Sequence, residues 1–221
     1  MMNLAVYLLP TALPIRSISH LTKLMLTAIT CLTLLGCSLG ERGQALTQLD
    51  LGSPPVPTKA VSLDVTSRTE AIALPNGLSV GLVLTTEVVW RQGVGGMPQT
   101  YATYQWVAPP ATLVRQRLID HLARQRPVLL SGISDQTPVL RLNLQQFEQV
   151  FQTSGQSDGV MSLQVVLTKG DVVLGSEVIH ERVAASSADA VAGAQALGIA
   201  SNRAAERITT WVNETLSKRS K

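Results

Sequence analysis

The side chains that do most enzyme chemistry are scarce in this chain, which holds two cysteines and three histidines in 221 residues. A nucleophile–base–acid set needs a histidine within reach of both partners. His121 falls inside a helical pattern and His180 inside an alternating strand pattern, and no serine and aspartate stand near either at a spacing that argues for a triad. His180 lies between Glu177 and Glu181, residue types that ligate metals. Side chains alternate along a strand, so both carboxylates fall on the face opposite the imidazole and the three do not converge. HExxH, CxxC and calcium-loop spacings do not occur. The glycine-rich stretch Gln92-Gly-Val-Gly-Gly-Met-Pro98 lacks a following Gly-Lys-Ser/Thr and a following helix, so it reads as a loop and not as a phosphate cradle. Asp64, Glu70 and Glu87 would meet only through tertiary packing. The expectation is a protein that is not an enzyme and uses no metal or cofactor.

Chemistry with a recognisable spacing stands near the N-terminus. Leu34-Leu-Gly-Cys-Ser38 closes an uncharged apolar run, Leu24–Gly36, preceded by Arg16 and Lys23. A helix of about 13 residues is about 20 Å long at 1.5 Å per residue, short of a ~30 Å hydrocarbon core, so a secretory signal is expected over residues 1–36 and not a permanent span. The earlier apolar stretch Leu4–Leu13 is short, interrupted by Pro10 and followed by Pro14, which argues against a first membrane segment. The order Leu-Leu-Gly36-Cys37 resembles a bacterial lipobox. There a diacylglyceryl group alkylates the cysteine thiol, a peptidase cuts between the small residue and the cysteine, and in Gram-negative bacteria the new amine takes a palmitate-type chain. Cys31 follows Thr30, lacks that small neighbour, and leaves with the signal. An aspartate after the cysteine retains enterobacterial lipoproteins in the inner membrane. Ser38 therefore points to the outer membrane, with the domain facing the periplasm.

Cleavage at Cys37 would also remove Arg16, Lys23 and His20, leaving basic and acidic residues nearly balanced and no thiol except the lipidated one. Intradomain disulfides and thiolate zinc sites are then excluded. Even the precursor carries only +3, with 4% aromatic residues, too little for a phosphate-tracking or base-stacking surface. A chain that is 45% hydrophobic and 15% charged can build a core and is not disordered as a whole.

Three regions follow: the signal peptide 1–36, a lipidated N-terminus and flexible tether 37–59, and a folded domain 60–221. The tether ends in Pro54-Pro-Val-Pro57. It spans about 25 Å as a coil and about 70 Å at full extension. The alternative is that Leu46, Leu49 and Leu51 dock on the domain. Strands are expected at Val61–Val65, Leu78–Val89 and Tyr101–Val107, the last with Ala102, Tyr104 and Trp106 on one face. Pro109-Pro110 opens a helix with Leu113, Val114, Leu118, Ile119 and Leu122 on its apolar stripe, and Pro127 ends it. Arg115, Arg117, Arg124 and Arg126 fall on its polar side.

In Val139–Phe151 the apolar positions change parity after Leu144, so a one-residue bulge near Gln145-Gln146 is required to keep a single inward face. Val160–Thr168 and Val172–Val183 form a hairpin across Lys169-Gly-Asp171. Ser186-Ser-Ala-Asp189 starts a last helix whose stripe runs Val191, Ala194, Leu197, Ala204, Ile208, Trp211, Val212, Leu216. The order implies an α+β fold, a mostly antiparallel sheet with two helices on one face. Trp90, at a strand end beside the glycine loop, and Arg115 are the candidate contacts for a partner or a lipid, with core burial and a solvated helix face as the respective alternatives.

Three stretches carry a resemblance: Tyr101-Ala-Thr-Tyr-Gln-Trp-Val-Ala-Pro-Pro110, Leu140–Phe151 with Gly159-Val-Met-Ser-Leu163, and the helix from Ser187-Ala-Asp-Ala190 to Trp211. In order and spacing they resemble the ABC-type transport auxiliary lipoproteins over roughly residues 60–215, while residues 66–100 do not align. The resemblance implies a lipoprotein component, without ATPase or catalytic site, working beside an ABC permease and ATPase and a mammalian-cell-entry-domain protein. Such systems move lipids, phospholipid or sterol-like, between membranes. The alternatives are an outer-membrane assembly or scaffolding lipoprotein with no transported ligand, and a hydrolase with an unrecognised site. No nucleic-acid partner is expected.

Overall fold

The computed structural model describes residues 45–53, 70–77, 79–131 and 134–219. The signal peptide, Gly36, Cys37 and the strand expected at Val61–Val65 lie outside the described residues. The elements are, in order, β1 (Thr47–Leu49), β2 (Ile72–Ala73), a 3-10 turn (Gly81–Leu84), β3 (Glu87–Gln92), β4 (Gln99–Trp106), α1 (Pro110–Leu122), β5 (Val128–Leu129), β6 (Pro138–Phe151), β7 (Ser157–Lys169), β8 (Val172–Ala184) and α2 (Ala190–Arg219).

The fold is α+β, built on an antiparallel meander of β6, β7 and β8. On its other edge β6 is long enough for two neighbours. β2 pairs with it at Val139 and leads out to β5, while β3 pairs along Gln149–Phe151 and leads out to β4 and then β1. Four of these pairings, β1–β4, β2–β5, β2–β6 and β3–β6, are parallel, so the eight-stranded sheet is mixed where mostly antiparallel pairing was expected. The long ladders stay antiparallel because two-residue or short turns join them, whereas each parallel partner returns through a helix or a long connection.

The phase change in β6 is resolved as the pattern demanded. Leu144 pairs with Leu163 and Gln146 with Ser162, so Gln145 is the extra residue, and Leu140, Leu142, Leu144 and Phe147 all reach one core. Met161, Leu163, Val165 and Leu167 of β7 join them. Lys169 pairs with Val172 across Gly170-Asp171, with Gly170 at φ 55°, a conformation that suits glycine. Gly159 is needed for a different reason. A Cβ there would lie 2.7 Å from the Leu197 amide nitrogen, so α2 crosses β7 with its backbone almost against the strand. The alanines on that face of the helix, Ala194, Ala196, Ala200 and Ala204, permit the approach.

Several expectations are corrected. The segment expected as one strand over Leu78–Val89 is broken: Gly81 takes φ 77°, Gly81–Leu84 form a 3-10 turn, and pairing resumes only at Glu87. In β4 the register slips by three residues between the Val89–Thr100 and Glu87–Gln105 pairs, which destroys the alternation of Ala102, Tyr104 and Trp106. Ala102 is exposed, Tyr104 half-buried and Trp106 fully buried on Phe147, with ring centroids 5.5 Å apart. Within Ser186–Asp189 the cap of α2 is Asp189, whose carboxylate accepts from the Ser187 hydroxyl and from the Ala192 amide at 2.9 Å. Those bonds hold its pKa below the ordinary value. Val191, expected on the inward stripe, is exposed, and Trp211 is only half-buried, lying over Gly175 of β8.

The largest correction concerns the tether. Ala45–Ser53 belong to the folded unit: β1 pairs with β4, and Leu49 and Leu51 are buried in the common core. The domain boundary therefore lies upstream of residue 60, and the docking alternative describes Leu49 and Leu51. Two arginines expected on a solvated helix face hold this segment and the next. Arg117, 5% exposed, donates to the carbonyls of Leu51, at 3.1 Å, and Gly52, and to Asn202 Oδ1 at 2.9 Å. Arg126 is also buried and donates to the Glu70 carbonyl at 3.2 Å and to Asn213 Oδ1. Burial lowers the pKa of both guanidinium groups, Arg117 and Arg126, from its ordinary value.

Candidate functional site

The three stretches singled out above are joined at one end of the sheet. β4 delivers Tyr101, whose hydroxyl donates to Gln149 Oε1 of β6 at 2.8 Å. The Gln149 amide nitrogen donates in turn to Ser157 Oγ at 2.7 Å and to the Asp189 carbonyl at the head of α2, at 3.0 Å. Gly193 leaves room for this side chain: a Cβ there would stand 2.3 Å from Gln149 Oε1. One buried glutamine thus ties β4, β6, β7 and α2 together, with its donor and acceptor both satisfied. Desolvation, with Asp189 and Tyr104 nearby, pushes the Tyr101 pKa up to about 12, so the phenol is neutral at any physiological pH.

Trp90 belongs to this cluster. Its ring meets Phe151 edge-on at 5.6 Å and Tyr101 at 6.2 Å, and Tyr101 meets Tyr104 at 5.9 Å. Trp90 is half-buried, between the two alternatives considered for it. On the other face of the same strands Arg91 grips the nearly buried Glu148 through two contacts of 2.6 and 2.7 Å, and Gln146 also donates to that carboxylate. Arg91 further donates to the Gly96 carbonyl at 3.1 Å, which fastens the glycine loop to the sheet. Sequence reasoning treated that loop only as a failed phosphate cradle and missed that it presents Val94 and Met97 to solvent.

Arg115, the other candidate contact, is half-buried and donates to the carbonyls of Pro75, at 3.1 Å, and Leu74. It borders a cleft of about 210 Å³ with Ser79, Thr112, Leu142, Leu144 and Leu163. That volume is below the usual range for small-molecule pockets, roughly 300–1,000 Å³. Two wider troughs, of about 540 and 570 Å³, are surface features, one beside Trp211 and one between Asp50–Ser53 and Gly198. The structure does not bring Trp90 and Arg115 together: one stands at the end of β3, the other in α1 beside the connection after β2.

The titratable groups do not assemble a reaction centre among the described residues. His180 is exposed on β8, while Glu177 pairs with Arg207 at 2.5 Å. His121 lies half-buried on α1, and burial, with Arg124 adding to it, lowers its pKa. No group of three His, Cys, Asp or Glu side chains able to hold a metal occurs among the described residues. No described helix is long and apolar enough to cross a membrane.

No family profile and no curated protein matches the chain. Solved structures do. A Xanthomonas campestris protein described as belonging to DUF330 superimposes with a TM-score of 0.65 at 15% identity, covering 80% of this chain and 98% of that one. A second solved chain, described as an uncharacterized protein, gives 0.59 at 10% identity over 76% of this chain and 99% of its own. At these identities the likeness is one of fold, and it extends over nearly the whole of each neighbour.

Proposed function

We propose that this protein is a membrane-anchored, non-enzymatic bacterial lipoprotein that serves as the periplasmic auxiliary component of an ABC and mammalian-cell-entry-type lipid transport system. The observation that carries the reading is spatial. The three stretches on which the sequence resemblance rests are not scattered: Tyr101, Gln149 and Asp189 are hydrogen-bonded in series, and Trp106 packs on Phe147. Residues that resemble one family in order and spacing thus form one joined unit. The lipobox supplies the anchor, and Ser38 directs it to the outer membrane in this reading.

The role proposed is that of an adaptor and not a lipid carrier. Among the described residues, the 210 Å³ cleft is far smaller than a phospholipid, and the two wider troughs are surface features that would not take acyl chains out of water. Its partners would be the permease and ATPase complex and the mammalian-cell-entry-domain protein.

Two measurements test this. Cys37→Ser should leave unprocessed precursor and abolish incorporation of labelled fatty acid. Crosslinking and co-purification of the native lipoprotein should then recover an ATPase, a permease and a mammalian-cell-entry-domain protein. Recovery of outer-membrane assembly proteins instead would favour the scaffolding alternative, and normal fractionation of the Cys37→Ser protein would sink the anchor itself.

A further inference from the structure

Two independent features meet at one end of the sheet. β3 and β6 stop there together, β4 and β7 begin there, and β8 ends there. The connections at this end, residues 93–98, 152–156 and 185–188, contain no charged residue. The other end carries Asp135, Asp171 and the Lys169–Glu70 ion pair. Within the loop 93–98, Val94 and Met97 are 77% and 79% exposed, more than any other large apolar side chain among the described residues. They are held out by the loop's own framework. The Gly93 amide donates to the Phe151 carbonyl at 2.8 Å, and Arg91 donates to the Gly96 carbonyl at 3.1 Å. The strands that the loop joins carry the half-buried Trp90 and Tyr101 at this end, residue types that favour the boundary between water and lipid.

The second feature is where the chain enters. β1 runs parallel to β4, with Thr47 opposite Tyr104. Ala45 and Leu46 therefore lead into β1 from the side on which β4 begins, the end that bears the loop. Cys37 precedes Thr47 by a stretch that reaches at most about 35 Å, while Met97 lies at most about 24 Å along the chain from Tyr104. A lipid on Cys37 can thus reach the level of the loop tip.

We propose that the loop Gly93–Pro98 is a second membrane contact, in which Val94 and Met97 enter the headgroup region of the bilayer that anchors Cys37. This rests on the lipidation of Cys37 argued above. Two apolar side chains would not bind a membrane from free solution, but the anchor makes their contact intramolecular and raises the effective lipid concentration. The loop 93–98 itself carries no ion to desolvate, the charges of this end being the Asp189 cap and the Asp158–Arg182 pair on neighbouring elements. The contact fixes which end of the sheet is presented away from the membrane.

The test uses the mature lipoprotein in vesicles of phosphatidylethanolamine and phosphatidylglycerol. Lipidation consumes the Cys37 thiol, so a Met97→Cys variant accepts an environment-sensitive fluorophore at that position. An Asp171→Cys variant labels the opposite end. The expected result is a blue-shifted emission at position 97, quenched several-fold more strongly by nitroxide-bearing lipids than the emission at position 171. Equal quenching at the two positions, in protein whose mass spectrum shows acyl chains on Cys37, overturns the loop contact and leaves the anchor standing. Protein without acyl chains overturns both. A label that stays solvent-like on vesicles and responds only when the transport partners are added overturns the lipid surface in favour of a protein.

Discussion

Replacing Gly159 with alanine asks whether α2 truly rests on the backbone of β7. The added Cβ would stand 2.7 Å from the Leu197 nitrogen and 2.9 Å from both the Ala196 carbonyl carbon and its Cβ, where ordinary contact begins near 3.4 Å. Each obstacle is helix backbone or the stub of an alanine, so no flexible side chain can swing away. Relief requires α2 to lift from the sheet, and the buried alanines at 194, 200 and 204 would lose their contacts with it. Overpacking of this kind costs about 1–3 kcal/mol. Without the clash the sign would be opposite, because alanine in a strand interior is favoured over glycine by about 0.5–1 kcal/mol. The net expectation is destabilisation centred on about 1 kcal/mol and reaching about 2.5, out of about 5–15 for a domain. At about 2–4 °C per kcal/mol for a unit of this size, Tm falls by about 2–4 °C at the centre of that range and by about 10 °C at most. Reversible urea unfolding gives the free energy and calorimetry the Tm. Gly95→Ala is the control, because its Cβ meets nothing within 4 Å and its φ lies outside the left-handed region. A Gly159→Ala protein as stable as the parent, or more stable, would refute the close crossing.

Other outcomes follow from the same geometry. Arg117→Met removes charged hydrogen bonds worth about 1.5–3 kcal/mol, and limited proteolysis should then cut near Gly52 faster than in the parent protein. Trp106 is 1% exposed with its indole nitrogen unpartnered. Trp106→Ala should cost about 3–5 kcal/mol, and Trp106→Phe clearly less because no hydrogen bond is lost, as urea titration would register. The Tyr101 pKa is raised from 10.0 to about 12, so its contribution to stability is full below pH 10.0 and is lost as the pH rises toward 12; Tyr101→Phe should flatten that limb of a Tm-against-pH curve. Asp189 has a lowered pKa, so its cap stabilises α2 above pH 3.8 and fails as the pH falls through its folded value; Asp189→Ala should lower Tm at neutral pH and not in strong acid.

What the sequence revealed, and what it concealed, divides by sequence separation. The Gln145 bulge was legible because β6 buries one face along its length, and the change of parity in Leu140–Phe151 has no other remedy. The Gly170-Asp171 turn was legible because both flanking strands alternate. β1, β2 and β5 were not, since two or three residues set no period and their parallel partners lie far along the chain. Arg117 and Arg126 read as surface residues because nothing local distinguishes an arginine in water from one capping distant carbonyls. At the candidate site, Trp90 stood out by type and position. Gln149 did not, because glutamine in a strand is ordinary until Tyr101, Ser157 and Asp189 are seen around it.

The parallel pairing of β1 bears on when each part of the molecule acquires its shape. The β6–β7–β8 meander and its turn close short loops, and α2 follows directly, so this half pays little chain entropy before its contacts form. β1 must instead find Tyr104–Trp106 across an intervening stretch of more than fifty residues. The N-terminal strand is therefore expected to zip on last, when the C-terminal half is already solid. In the lipoprotein proposed above, the processing enzymes would thus act on a protein whose first strand is still free. Pulse-labelled hydrogen exchange during refolding would show it, with amides of β7 protected before those of Thr47–Leu49.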